Sequence, residues 1–268
     1  MLHAETKRVK VALITGASGG IGASVSKTFS AKGYVIIAHY GSRTSKANEV
    51  ARDIEASGGI CYLVSSDLST DTGVSDLIDR VKKILSENPT YHLSTLINNA
   101  AKLLSPSFAE TEYSDFDSYI AVNTKAPFFL TQGLIENMST GACIVNVSSA
   151  SAHFSSPGDI TYAISKAALE SLTRNLAELL APRGIRVNAV IPGFTDNGHP
   201  GFDKKPVLEY MSTFSVLGGV SEPETVADAI FFLASDKSKR TTGTFLDVSG
   251  GSILGARAGR KHSVKELL

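Results

Sequence analysis

KVALITGASGGIGASVSKTF, residues 10–29, contains three patterns in succession. Residues 10–15 form a continuous apolar run, which predicts a short strand buried on both faces. Ile21, Val25 and Phe29 then recur at i, i+4 and i+8, one stripe of an amphipathic helix that Gly33 ends. Between them lies Thr15-Gly16-Ala17-Ser18-Gly19-Gly20-Ile21-Gly22. Gly16, Gly20 and Gly22 allow a tight turn and close approach of the backbone to a ligand. The helix start behind that turn offers free N–H groups and partial positive charge to an anion. Buried strand, glycine turn and amphipathic helix, in that order, favour nucleotide pyrophosphate binding over a plain connection. No Lys-Ser/Thr pair follows the glycines, so ATP or GTP chemistry is disfavoured.

The same alternation continues outward. Apolar runs at 34–39, 60–64, 93–97, 144–147, 185–191 and 244–248 read as strands. Helical spacing marks 45–56, the set Val74, Leu77, Ile78, Val81 and Leu85, then 114–138, 161–180 and 222–234. Pro127 falls inside the 114–138 region as a first-turn residue or a kink. Residues 192–206, PGFTDNGHPGFDKKP, read as the longest irregular segment. Strands alternating with crossover-length helices predict an α/β fold, a single-domain doubly wound parallel sheet of Rossmann type with helices on both faces. Residues 1–251 are expected to form this one domain and 252–268 a solvated C-terminal tail, or else an arm that touches another subunit.

Composition narrows the class. The chain has 268 residues, 43% of them hydrophobic and 19% charged, as in ordinary globular proteins. Its 26 basic and 26 acidic residues cancel, leaving no basic field for nucleic acid and no polybasic membrane patch. Cys61 and Cys143 fall in expected buried strands and read as small hydrophobes. With no apolar leader pattern and no membrane-length segment, a cytoplasmic protein is expected. His residues at metal-ligand spacing are missing, as are CxxC and GxSxG, so no metal site is expected.

A second stretch carries chemistry. After the strand at 144–147 come Ser148 and Ser149, a Ser/Pro/Gly loop, and then Tyr162 with Lys166 four residues on. That spacing stacks phenol and ammonium on one helix face. Ser149 precedes Tyr162 by 13 residues, at the edge where a strand of an α/β sheet delivers residues to a ligand crevice. Taken singly, each residue also has a plain reading as a cap or a surface contact. Reducing a carbonyl needs a hydride donor and an acid for the developing alkoxide. A free phenol titrates near ~10, and lowering that by ~3 units needs ~4 kcal/mol. One cation at ~4 Å in an effective dielectric of ~20 supplies about that much, which is the task expected of Lys166. His153 and His199 fall in loops near this stretch, as ordinary loop residues or as substrate contacts.

The sequence resembles the short-chain dehydrogenase/reductase family from Val11 to Gly251, nearest its 3-oxoacyl-carrier-protein reductase and polyol or steroid dehydrogenase types. The matching pieces are TGASGGIG (15–22), Asp67, Asn98-Asn99-Ala100, Asn123, Ser149, Tyr162, Lys166 and Pro192-Gly193, in the family's order. The resemblance implies Tyr162 as acid/base, Lys166 as its tuner, Ser149 as the substrate-orienting hydroxyl and Asn123 as the residue ordering a water for proton relay. It implies a cofactor held by Gly16, Ser18, Gly20, Ile21 and Gly22, with Asp67 and Leu68 at the adenine. Asn99 and Ala100 would lie at the ribose, Tyr162 and Lys166 near the nicotinamide, and Pro192, Gly193 and Thr195 against its carboxamide. Asp67 as a simple turn or cap residue remains the alternative. Ala101, Ala126, Asn197 and Ser249 depart from the family's usual residues, in places that bear on cofactor grip.

The end of the second strand bears on which cofactor. Relatives preferring NAD carry an acidic residue there; this chain has His39-Tyr40-Gly41-Ser42-Arg43. With no carboxylate to repel a 2′-phosphate, and Tyr40, Ser42 and Arg43 nearby, NADP(H) is preferred and NAD(H) is the alternative. Arg43 as a solvated start of the next helix is the competing reading. Together these imply hydride transfer between NADP(H) and a carbonyl/alcohol small molecule, in the reductase direction, on a 3-oxoacyl thioester or another ketone. An NAD-dependent alcohol, sugar or steroid dehydrogenase, or a non-catalytic nucleotide sensor on the same fold, are the rival readings. Lys204-Lys205 is the only hint of a carrier-protein partner. Relatives form homotetramers or dimers through the helices expected at 114–138 and 161–180.

Overall fold

A computed structural model describes residues 8–198 and 200–254. Seven parallel strands form one sheet in the order β3-β2-β1-β4-β5-β6-β7. They are β1 (Val9–Ile14), β2 (Val35–Tyr40), β3 (Cys61–Ser65), β4 (Tyr91–Asn98), β5 (Met138–Val147), β6 (Arg186–Pro192) and β7 (Phe245–Val248). The helices are α1 (Gly20–Ala31), α2 (Thr44–Ala56), α3 (Asp71–Glu87), α4 (Tyr113–Ile120), α5 (Ala126–Leu134), α6 (Ile160–Leu180), α7 (Lys205–Ser212) and α8 (Pro223–Ala234).

The strict alternation of strand side chains divides the core into two layers. Val11 and Leu13 of β1 pack with Leu77, Leu130 and Leu176, so α3, α5 and α6 cover one face. Ala12 and Ile14 pack with Val25, Ile54 and Ile230, so α1, α2 and α8 cover the other. Continuous apolar strands are thus the mark of a sheet covered twice. β1 pairs with β2 on one side and β4 on the other, so the strand order reverses there. The crevice beyond the carboxyl ends of β1 and β4 is where such sheets take ligands.

Three expectations need correcting. The helical region expected over 114–138 does divide at Pro127, which takes the expected first-turn place in α5, but the break is wider than a kink: a π turn spans Ala121–Lys125, closed by an Ala126 N–H donated to the Ala121 carbonyl. Pro127, in the first turn of α5, has no N–H to give the carbonyl of Asn123 four residues back, so the regular ladder cannot run through. The fifth strand begins at Met138 rather than 144, because the polar opening Met138-Ser-Thr-Gly hides a strand that is paired at Leu93↔Met138. Residues 192–206 are not irregular throughout: a 3₁₀ turn covers Pro200–Asp203, and Lys205 opens α7 with Pro206 in its first turn.

At the other end, Ser252–Leu254 form a 3₁₀ turn in which Ser252 is buried and donates its N–H to the Ser249 hydroxyl. The remainder of the expected tail, residues 255–268, lies outside the described residues, as do 1–7 and His199. Cys143 is buried and Cys61 half-buried, and both are free. Burial lifts the two thiols to about 11 and about 12, so neither is a thiolate near neutrality. No described helix is long and apolar enough to cross a membrane.

Candidate active site

β5 ends at Val147, and the chain carries Ser148 and Ser149 out of the sheet before α6 returns along its face. The two serines face different partners. Ser148 donates its hydroxyl to Glu170 Oε1 at 2.6 Å, inside the protein. Ser149 pairs its Oγ with Ser151 Oγ at 2.8 Å and lies near enough to the Tyr162 phenol to favour its anion. Ser149, Tyr162 and Lys166 are therefore brought together as the spacing implied.

Electrostatically, the pair departs from expectation. Lys166 is 1% exposed, and its Nζ donates to the Val147 carbonyl at 2.7 Å, lying 5.7 Å from the Tyr162 ring centre. Burial alone brings the ammonium down to about 7. Tyr162 is pushed up, not down, to about 12. Burial is the largest cause, the Ser149 hydrogen bond opposes it, and the charges of Asp159 and Tyr119 add to it. Lys166 is wholly and Tyr162 partly taken out of water, so each is held toward its neutral form. The lysine's first partner is a carbonyl rather than the phenol oxygen, so the tuning assigned to Lys166 from spacing is not present in these surroundings.

Asn123 sits buried in the π turn. Its Oδ1 accepts the Lys102 N–H at 2.8 Å, while Nδ2 donates to the Lys102 carbonyl at 3.1 Å and to Ser165 Oγ at 2.9 Å. Its side chain thus braces the loop after β4 against α6, immediately before Lys166.

The glycine turn is built to leave backbone bare. A Cβ on Gly22 would lie 2.2 Å from the Gly16 carbonyl oxygen, and one on Gly16, where φ is +69°, would lie 2.8 Å from Ala100 Cα. Asn99 donates its amide to the carbonyls of Thr15 (2.9 Å) and Gly16 (3.2 Å), and the Thr15 hydroxyl accepts both the Asn99 and Ala100 N–H groups at 3.0 Å. Asn99 and Ala100 thus fasten β4 to the turn. α1 starts behind Gly19 with no side-chain cap and no acidic residue in its first turn. Its free N–H groups and an uncluttered approach suit a pyrophosphate. Ser18 is buried and Ile21 half-buried beside it.

Arg43 stands at the N-cap of α2, after half-buried Tyr40 and exposed Ser42. Its Nη1 lies 3.5 Å from where a Cβ on Gly19 would be, so the guanidinium reaches back toward the glycine turn while remaining exposed to solvent. Asp67 is exposed and accepts the Ser69 N–H (2.9 Å) and hydroxyl (2.7 Å), bonds that hold its carboxyl below the usual range. The turn reading of Asp67 is thus realised. Leu68 is buried with Val74 and Leu77 and borders a cleft of about 450 Å³ between α3 and α5. Pro192 ends β6; a Cβ on Gly193 would lie 2.8 Å from the Ser249 carbonyl, and the Thr195 hydroxyl donates to the Gly193 carbonyl at 3.2 Å. The chain beyond reaches back to the turn, where Asn197 Cβ lies 3.0 Å from the Cβ position of Gly20.

Two arrangements escaped the sequence reading. His39 is buried at the end of β2: the Gly16 N–H donates to its Nδ1 at 3.3 Å, so Nε2 carries the proton and donates to the Ser66 carbonyl at 3.1 Å. Burial holds this imidazole below its ordinary range, in the neutral form both bonds require. It ties the glycine turn to the loop bearing Asp67. Glu170, 5% exposed, lies one turn beyond Lys166 on the Tyr162 face and accepts from both Ser148 and His153 Nε2 (2.8 Å). The i+4 spacing after Lys166 was the available signal for Glu170. No described cluster of His, Cys, Asp and Glu could hold a metal ion.

Bare glycine turn, buried lysine, and a serine hydroxyl beside a phenol define a Rossmann-type, nucleotide-dependent oxidoreductase. The family model described as enoyl-(acyl carrier protein) reductase matches residues 16–252. The 3-oxoacyl-[acyl-carrier-protein] reductase FabG of Staphylococcus aureus is 32% identical over 250 residues, 92% of this chain and 100% of that protein. The hydroxynaphthalene reductase-like protein Arp2 of Metarhizium brunneum is 30% identical, over 91% of this chain and 95% of that one. The crystal structure of the angucycline C-6 ketoreductase LanV with bound NADP superposes with a TM-score of 0.88 at 39% identity, covering 92% of this chain and 96% of that one. The chain belongs to the short-chain dehydrogenase/reductase family, and it is an oxidoreductase acting between a carbonyl and an alcohol.

Proposed function

We propose that this protein is a ketoreductase that uses NADPH to convert a ketone to a secondary alcohol. The observation that carries the reading is that Ser149, Tyr162 and buried Lys166 are brought together at the carboxyl edge of the sheet, with Lys166 Nζ 5.7 Å from the Tyr162 ring centre. The dinucleotide, held by the turn and by Arg43, supplies the hydride. Ser149 and Tyr162 donate hydrogen bonds to the carbonyl oxygen and fix it. As negative charge develops there, Tyr162 gives up its proton, because an alkoxide is a far stronger base than a phenolate.

A phenol held near 12 is only ~10⁻⁵ ionised at pH 7, so the resting tyrosine is the acid that reduction needs rather than the base that oxidation needs. Lys166, titrating near 7, can pass a proton toward the phenolate left behind, and Asn123 holds the neighbouring backbone in place for that relay. Exposed Phe128 and Phe129 on α5 and Leu179 on α6 suit association between copies, and a cytoplasmic homo-oligomer is our reading of the assembly.

Substituting Tyr162→Phe keeps the ring that packs on α6 and removes the proton donor. Absorbance assays with a panel of ketones should show kcat lower by 10²-fold or more, within the range one acid contributes. Full turnover in that variant would end this mechanism.

A further inference from the structure

Four aromatic rings from three segments of the chain meet above the carboxyl edge of the sheet. Phe214, just after α7, is their hub: it lies 5.8 Å from Phe154, 5.3 Å from Phe194 and 5.3 Å from Tyr210, centre to centre. Phe154 is five residues past Ser149, and Phe194 directly follows Gly193 at the end of β6. β5 and β6 are parallel neighbours, joined at their ends by the Ser148 N–H donated to the Val190 carbonyl. The rings therefore stand on the same edge that delivers Ser149.

Both sides of the cluster are fastened. His153, next to Phe154, is bonded to buried Glu170 on α6. Ser215, next to Phe214, donates its hydroxyl to the Gly250 carbonyl at 3.1 Å, and the Leu217 N–H reaches the same carbonyl. Yet the cluster is not closed: Phe194 is 37% and Tyr210 64% exposed. Rings held at fixed places with their faces partly open form a surface on which another π-system can stack.

Charge on the same segment argues against an acidic carrier protein as the docking partner. Residues 200–217 hold Asp203, Lys204, Lys205 and Glu209, two of each sign, and Lys205 faces Glu209 at 3.8 Å. The Lys204-Lys205 pair is therefore not a basic patch.

Building on the ketoreductase reading, we propose that Phe154, Phe194, Tyr210 and Phe214 form the substrate platform, and that the substrate is a ketone on a planar fused-ring aromatic skeleton rather than a carrier-bound acyl chain. Stacking on these rings orients the flat molecule so that its carbonyl meets Ser149 and Tyr162.

The test compares three carbonyls in an NADPH-oxidation assay: acenaphthenone (fused and planar), cyclohexanone, and acetoacetyl-coenzyme A. The expected kcat/KM for acenaphthenone exceeds both others by about tenfold or more, an anchoring gain of the size aromatic contacts give. Phe154→Leu and Phe214→Leu keep apolar bulk but remove a ring face. Each should lower kcat/KM for acenaphthenone roughly tenfold, mainly through KM, with cyclohexanone changed less than about twofold. Equal losses on every substrate, or acetoacetyl-coenzyme A as the best substrate, would overturn the platform and leave the ketoreductase intact. No NADPH consumption with any carbonyl would remove both readings. If either leucine variant melts early, calorimetry on the unaltered protein decides: 2-naphthol should bind saturably and compete with acenaphthenone, and no binding refutes the platform.

Discussion

Replacing Arg43 with alanine tests the cofactor assignment at its most specific point. The guanidinium lies over Gly19, 3.5 Å from the position of the missing Cβ, at the end of β2 where a carboxylate would select NAD. A charge-assisted hydrogen bond contributes about 1.5–3 kcal/mol. Arg43 is exposed and screened, so the lower half of that range applies, and NADPH binding should weaken roughly 10- to 30-fold. NADH has no 2′-phosphate and should lose less than about twofold by the same accounting.

The backbone of Gly19 is extended, with φ 168° and ψ 173°, a conformation open to any residue. Adding Gly19→Arg to the Arg43→Ala protein should therefore restore most of the NADPH preference from the other side of the same space. Fluorescence titration of both cofactors, at low salt and again at high salt, measures all of these values. The wild-type preference should shrink with added salt, and the alanine variant should be nearly salt-independent. Equal losses for NADPH and NADH, or no loss for either, would refute a 2′-phosphate contact at Arg43.

Other consequences are equally checkable. Buried Lys166 titrates near 7 folded against an ordinary 10.5, so between those values the unfolded chain binds the extra proton and raising pH stabilises the fold. From pH 7 to 9 the native protein should gain on the order of 2 kcal/mol relative to Lys166→Met, read as a difference in denaturant midpoints; no difference would contradict the burial argument. Above pH 10 both proteins lose stability as pH rises, because Tyr162 keeps its proton to about 12 when folded and loses it near 10 when unfolded. Gly22→Ala places a methyl 2.2 Å from the Gly16 oxygen, a backbone atom that cannot swing aside. Overpacking of this kind costs about 1–3 kcal/mol, and NADPH affinity should fall with stability; an unaltered melting curve would show that the turn is looser than described.

Much of the scaffold was legible because its determinants are local. Runs such as Val11–Ile14 and stripes such as Val25 and Phe29 need only their own neighbours to declare strand and helix. Where a break depended on a partner, legibility failed. Pro127 marked the division of 114–138 locally, but not the π turn at Ala121–Lys125 before it, and the start of β5 follows from pairing with Leu93, which its polar opening conceals.

Periodicity and spacing alone determined the alternation of strands and helices, the bare glycine turn, and the shared face of Tyr162 and Lys166. These are properties of residues within a few positions of each other. Only the tertiary structure decided that Ser148 turns to Glu170, 22 residues away, while Ser149 turns to Tyr162. It also set His39 against Gly16, 23 residues away, and gathered four rings over the sheet edge. The sign of the tyrosine's shift belongs to it as well. Spacing puts an ammonium near a phenol, but the water removed around both, and the Val147 carbonyl that the lysine finds first, exist only once the chain has closed around them.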